Sequence, residues 1–415
     1  MELESTRRFS SLYRREFRMF FISQVISLTG TWMQATALGW LVYSLTSSPI
    51  YLGLVGMSLS LPVFLFSSIG GFLADRLKKR NVLLFTQGLP IIPVLVLSFL
   101  TNYHLITVGE IVVITFLLGC LNAVDIPVRQ SFLIEIAGRE NLLNAVAMQS
   151  SAFHGARAVG AIIAGFAIKE FGSAFCFYLN ALSWLPVIYV LLRIKPQPSA
   201  SCAESKGFFK DILEGFLFVK GNKQILYLIL TISIYSLLGM PFSQFLPVIV
   251  RTVFGSDAQT LGYMMSAVGA GSLAAGLMIA FRCDNKGNTY YMTISAFCFP
   301  ALLFSFTFVD TVWAALVFLA AIGWSAVSFL ARANSFIQLS VSDDLRGRVM
   351  SIFALVFLGM MPLGYALMGY LISIVGVRYT FAACSILCMI GFLLFRGKWN
   401  DHTSCQTKVK ALLVL

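Results

Sequence analysis

His154 and Arg157 stand three residues apart inside an apolar run, a spacing that puts them on one face of a helix. A base at membrane depth is costly and marks a substrate or ion path, or a buried pair with an acid. Arg157 can attract an anionic substrate or hold Asp125, which lies in the preceding run. An unperturbed histidine titrates near neutral pH, which would suit His154 to a proton relay; the alternative is a hydrogen-bonded packing residue. Glu110 and Asp125 fall toward opposite ends of one run, and no carboxylate falls clearly in the middle of any. Asp125, His154, Arg157 and Glu110 are therefore the candidates for coupling to an ion gradient.

Two polar stripes carry a second kind of chemistry. Gln24, Ser27, Thr31 and Gln34 are spaced by three, four and three residues and share one helical face. Ser233, Ser236, Met240 and Ser243 repeat the pattern later in the chain. A polar face among apolar helices turns to a water-filled cavity or to interhelical hydrogen bonds. Trp32, Tyr235 and Trp324 can stack on a lipophilic substrate or pack the core. The candidate cavity residues are Gln24, Thr31, Trp32, Gln34, Asn122, Tyr235, Ser236 and Trp324. No metal-binding HExxH, nucleotide loop or Ser/His/Asp constellation is present, so neither an enzyme, a metal nor a cofactor is expected. The longest polar segment is too short for an ATPase domain, which leaves a gradient, expected to be of protons, as the energy source.

The elements that position these residues are helices in a membrane. The chain has 415 residues, 58% hydrophobic and 12% charged, with a mean hydropathy of +0.84. Soluble domains carry about 25% charged residues. Apolar runs fall at approximately 17–45, 51–74, 81–100, 105–128, 144–168, 171–193, 224–250, 259–281, 289–309, 311–335, 349–372 and 375–396. Each reaches the roughly 20 residues that a membrane-spanning helix needs, and they are too long for barrel strands. The expected fold is an all-α membrane protein of twelve transmembrane helices. The first run is too long for a signal-peptide core and is read as a retained span.

Charge sets the orientation. Alternate connections hold nearly all the Lys and Arg, and the opposite set holds only Lys169, Arg251 and Arg378. By the positive-inside rule both termini are cytoplasmic. The net charge of +12 follows from topology, not from a nucleic-acid surface. The eight cysteines form no CxxC pair and read as small packing residues. Partners are thus the bilayer and a small molecule, with a monomer expected and no nucleic acid.

The chain divides as 1–16, an N-terminal segment; 17–193, a six-helix half; 194–223, a linker ending in an amphipathic helix; 224–396, a second six-helix half; and 397–415, a tail. The halves echo one another. Gly155, Gly160, Gly165 and Gly172 recur at a shift of 204 as Gly359, Gly364, Gly369 and Gly376. Asn122, Asp125 and Arg129 recur at 203 as Ser325, Ser328 and Arg332. Parallel halves around a central site are a recurring transporter plan.

The stretch "GGFLADRLKKRN", Gly70 to Asn81, closes the second run. Gly70 and Gly71 suit a close helix approach, and Asp75 suits a helix N-terminus or a buried base. Gly71-Phe-Leu-Ala-Asp75-Arg76 with Lys79-Arg80 resembles the loop motif between helices 2 and 3 of the major facilitator superfamily. "DIPVRQSFLIEIAGRENLLNA" (Asp125 to Ala145), "FYLNALSW" (Phe177 to Trp184) and "DDLRGRVMSIFALVFLGMMPLG" (Asp343 to Gly364) resemble the branch that contains the bacterial enterobactin exporter and macrolide-efflux proteins. Together they span about residues 15 to 395.

The resemblance implies two pseudo-symmetric six-helix bundles, the major facilitator fold, with helices 1, 4, 7 and 10 around the cavity. It also implies a conformational latch of Gly71, Asp75, Arg76 and Arg129, in which Asp75 pairs with Arg129 and caps helix 11 near Arg348. Lys78 stands where the family often has Gly, the matching loop "RCDNKGN" (Arg282 to Asn288) is degenerate, and the antiporter-type stretch Gly160 to Gly165 lacks its Pro. The resulting expectation is a proton-driven exporter of a small amphipathic molecule, siderophore or drug-like, working by alternating access in the bacterial inner membrane. The alternatives are an importer or facilitator on the same fold, a lipid flippase, and a non-transporting receptor.

Overall fold

In a bilayer every backbone N–H and C=O must be satisfied within the protein, so the apolar runs become helices, three of them closed by Gly138, Gly172 and Gly376. The structure is a computed structural model describing residues 10–194, 208–281 and 289–399. Its helices are α1 Arg15–Thr46, α2 Pro49–Arg76, α3 Lys79–Asn102, α4 Val108–Ala137, α5 Leu142–Phe171 and α6 Ser173–Arg193. After the linker come α7 Phe208–Gly221, α8 Lys223–Thr252, α9 Ala258–Phe281, α10 Thr289–Phe306, α11 Val312–Ser340, α12 Asp343–Val375 and α13 Val377–Trp399. The loop Arg282 to Asn288 lies outside the described residues.

Eleven of these helices are long and apolar enough to cross a membrane. The 32-residue α1 is long enough but falls below that apolarity. Five of its polar side chains, Ser23, Gln24, Ser27, Gln34 and Thr36, are turned inward and buried. Large apolar side chains such as Ile92, Phe99, Val113 and Trp313 cover the outside, where lipid is their solvent.

Several spans are not straight. α3 is interrupted at Leu89–Pro90 and α6 at Trp184, just before Pro186. α8 opens into a π turn over Tyr235–Gly239 and a 3-10 stretch over Met240–Phe245. Pro241 explains the last break, because a proline lacks the N–H that would reach the carbonyl four residues back. That carbonyl belongs to Leu237, and Gly364 of α12 packs directly against it.

The internal echo is a packing pattern. Gly160 of α5 packs on Thr29 and Trp32 of α1, and its counterpart Gly364 packs on α8. Gly165 of α5 lies against Gln259 of α9, and Gly369 of α12 against Pro49 and Gly53 of α2. Gly155 faces Leu273 of α9, and Gly359 faces Phe64 of α2. Gly172 and Gly376 end their helices with φ of 81° and 85°, a conformation that favours glycine. Each half thus lends one helix, α5 or α12, to a seam with the other half.

Contacts across the seam gather toward the end of the molecule remote from Arg15. There Gln244 Nε2 donates to the Leu52 carbonyl (3.2 Å) and Lys169 Nζ to Gln259 Oε1 (3.1 Å). The Arg251 guanidinium lies 4.4 Å over the Trp40 ring at the same end.

Candidate functional site

The polar residues inside the N-terminal half form one buried network. Asp125 of α4 is 3% exposed. Its Oδ1 accepts from Thr86 Oγ1 (2.8 Å) and Gln87 Nε2 (2.7 Å) of α3. Its Oδ2 meets Arg129 Nη2 at 3.0 Å, one helical turn away. Arg129 Nη1 reaches on to Gln24 Oε1 of α1, 3.1 Å. Asp125 and the Arg129 it holds therefore tie three helices, α1, α3 and α4, into one hydrogen-bonded unit.

Farther along α1, Gln34 Oε1 accepts from Asn180 Nδ2 of α6 (2.7 Å), and Ser183 donates to Asn180 Oδ1 (3.0 Å). Gly30 makes this possible: a Cβ there would stand 2.6 Å from Asn180 Oδ1. Of the same stripe, Thr31 is exposed and donates to its own helix at Ser27 O.

The cavity candidates of α8 are placed differently. Tyr235 and Ser236 are fully buried. Tyr235 O–H donates to the Ala296 carbonyl (2.5 Å) and its ring packs between Phe299 and Phe329. Ser236 donates to the Phe357 carbonyl (2.5 Å). Both tie α8 to its own half. Asn122 is exposed on α4, and Trp324 is half-buried on α11.

Arg157 is not joined to Asp125. Its guanidinium carbon lies 4.8 Å over the Trp32 ring, a cation–π contact. Trp32 meets Phe153 edge-on at 5.2 Å, and Phe153 meets His154 at 5.4 Å. Arg157 Nε and His154 Nδ1 are buried without a hydrogen-bond partner. Glu110 serves α4 as a capping box: its Oε2 accepts from Thr107 N (2.7 Å) and Thr107 Oγ1 (3.1 Å).

At the latch motif, the side chain of Asp75 lies outside the described residues. Gly70, not Gly71, makes the close approach: a Cβ on Gly70 would stand 2.8 Å from Pro127 of α4, whereas one on Gly71 meets open space. The two differ because 100° of helix rotation turns Gly71 away from α4. Arg76 lies over the Phe72 ring at 4.3 Å. Arg129 is engaged by Asp125 and Gln24, and Arg348 pairs with Glu214 of α7.

The following bases are more than a charged loop. Lys79 pairs with Glu135 (2.5 Å), and Arg80 donates to the carbonyls of Leu191 (2.5 Å) and Leu192 (2.8 Å). Sequence reasoning passed over Thr86, Gln87 and Asn180; their signal was an amide or hydroxyl inside an apolar run.

Two bundles of like packing, joined on a glycine-lined seam with polar groups held inside, define a membrane transporter of the major facilitator type. The chain belongs to the family of transmembrane secretion effectors (MFS_3), whose profile matches residues 6–408. It is 26% identical to the staphyloferrin A transporter of Staphylococcus aureus over 89% of this chain and 92% of that protein. It is 23% identical to the multidrug efflux pump Tap of Mycolicibacterium fortuitum, covering 86% and 89%. The fold is similar to that of the nucleoside transporter NupG, with a TM-score of 0.71 at 16% identity over 93% of this chain and 99% of that one. The protein is a multi-pass membrane transporter of small molecules, not an enzyme.

Proposed function

We propose that this transporter exports a small amphipathic molecule, siderophore or drug-like, across the bacterial inner membrane by alternating access, as a monomer driven by protons. The observation that carries the reading is the distribution of contacts along the seam. The halves meet from the middle of α5 and α12 to the end remote from Arg15. At the opposite end, Lys79, Arg80 and Arg348 engage partners in their own half or in α7. The positive-inside bias places that second end in the cytoplasm. With the seam contacts of the described residues gathered toward the other end, we read this conformation as the one that faces the cell interior, where an exporter takes up its cargo. The name of one relative, the multidrug efflux pump Tap, agrees with outward traffic, and that of another, the staphyloferrin A transporter, with a small-molecule cargo.

Asp125 is the coupling group in this reading. It is the buried carboxylate of the described spans, and a proton there removes the charge that holds Arg129, freeing the link from α4 to Gln24 of α1. One charge moved across 100 mV supplies about 2.3 kcal/mol, enough to bias the exchange between two conformations.

The test is mass spectrometry of cell pellet and medium from a strain lacking the gene and from its parent, under iron limitation. A metabolite that accumulates inside and vanishes from the medium is the expected result. A metabolite left unused in the medium of the deletion strain would reverse the direction.

A further inference from the structure

Arg157 is a cation without an anion. It sits midway along α5, faces the Trp32 ring of α1, and enters no ion pair among the described residues. The acid nearest in role, Asp125, is already occupied by Arg129, Thr86 and Gln87. One face of the guanidinium is thus covered by an aromatic ring while Nε is buried and unbonded. Burying a charge is tolerated when it is paired and hydrogen-bonded, and here the protein supplies neither. One helical turn earlier, His154 Nδ1 is unbonded as well. Two orphaned polar atoms on one face are not explained by packing, since native structures satisfy nearly all such groups.

The other half contributes to the same place. Tyr365 of α12 lies flat on α2, its ring 2.9 Å from where a Cβ of Gly56 would stand. Its hydroxyl and Arg157 are close enough to interact electrostatically. Gly56 leaves room for that ring and Gly53 for the Tyr365 backbone, so close packing of α12 on α2 fixes where the phenol stands. The group faces the seam and joins elements of both halves.

We infer that Arg157, flanked by His154, Trp32 and Tyr365, is the subsite for a carboxylate or similar oxyanion on the cargo. This deepens the export reading and rests on it: the exported molecules are amphipathic anions. A guanidinium offers a planar fork matched to a carboxylate, the aromatic faces of Trp32 and Phe153 take the apolar part, and the Tyr365 hydroxyl adds a donor from the second half. An anion held by Arg157 and Tyr365 at once bridges α5 and α12, so its arrival draws the halves together, which is the differential contact that a conformational exchange requires.

The experiment measures equilibrium binding to the purified full-length protein in detergent by fluorescence anisotropy. The probes share a xanthene ring system and differ in charge: carboxyfluorescein is an anion and a rhodamine ester is a cation. Wild type is expected to bind carboxyfluorescein in preference to the rhodamine ester. Arg157→Gln should weaken carboxyfluorescein by about tenfold or more, with Arg157→Lys retaining part of the affinity and neither change weakening the rhodamine ester. Tyr365→Phe should lower affinity for the anion by a few-fold, the share of one neutral donor. Should Arg157→Gln fail to fold, wild type decides: benzoate, but not benzamide, is expected to displace the dye. Preference for the cation, binding of neither dye, undiminished affinity in Arg157→Gln, or equal displacement by benzamide would each overturn the assignment. Binding in detergent is blind to direction, so a cell that exports its cargo while these results fail loses only the anion subsite. Anion binding without export in cells would instead remove the export reading.

Discussion

Replacing Gly262 with alanine puts the seam itself to the test. Gly262 of α9 faces α5, and a Cβ there would stand 2.6 Å from the Ala161 carbonyl oxygen and 2.9 Å from Gly165 Cα. Non-bonded heavy atoms prefer separations of about 3.5–4.0 Å, so α5 and α9 must part by roughly 1 Å. Both obstacles are backbone atoms, which cannot rotate aside as a side chain would. Overpacking of this kind costs about 1–3 kcal/mol, and only the conformation in which α5 touches α9 bears it. The exchange between conformations then shifts by about 5- to 150-fold toward the one parted at this end. Spin labels on Glu170 and Thr252, both exposed near the ends of α5 and α8, report the separation by pulsed electron resonance. Gly262→Ala is expected to raise the population at longer distance. Gly276→Ala, on the same helix but with nothing within 4 Å of its Cβ, should leave the distribution unchanged. A Gly262→Ala protein indistinguishable from wild type, or an equal shift in Gly276→Ala, would refute the reasoning.

Three further outcomes follow from the polar contacts. Asp125→Leu leaves Arg129, Thr86 and Gln87 without their acceptor and should lower stability by about 3–5 kcal/mol, seen as earlier melting in detergent; unchanged melting would dissolve the network as a structural unit. Gln34→Leu and Asn180→Leu should each cost about 1–3 kcal/mol and the pair less than their sum, whereas strict additivity in that double-mutant cycle would mean the 2.7 Å contact carries no coupling. Glu110→Ala removes half of a capping box and should cost about 1 kcal/mol while the proton dependence of transport in vesicles stays as in wild type; a lost dependence would move Glu110 into the coupling machinery.

The positions of the helices were legible along the chain because a bilayer leaves an apolar segment one local solution, and Gly172, Gly376 and Pro241 mark ends and breaks by their own backbone chemistry. The glycine echo was legible too, and the packing of Gly165 on α9 and of Gly369 on α2 gives it a structural meaning as a matched pair of seam helices. The pairings were not. The sequence offered Arg157 to Asp125 and Arg129 to Asp75, whereas the i,i+4 geometry of α4 brings Arg129 within 3.0 Å of Asp125 and α5 turns Arg157 onto Trp32. Ser236 read as part of a polar stripe and Tyr235 as a stacking aromatic, both lining the cavity, yet the rotation of α8 against α10, α11 and α12 turns both onto carbonyls of their own half.

What the sequence by itself determined is therefore one-dimensional: where the chain crosses the membrane, which ends are basic, and which runs carry polar groups. These depend on local hydropathy and on hydrogen bonds that each helix makes within itself. The tertiary structure decided which polar groups meet, because that depends on the rotation and tilt each helix takes against its neighbours. A few tens of degrees about the axis of α1 separate a Gln34 that finds Asn180, 146 residues away, from one that faces lipid.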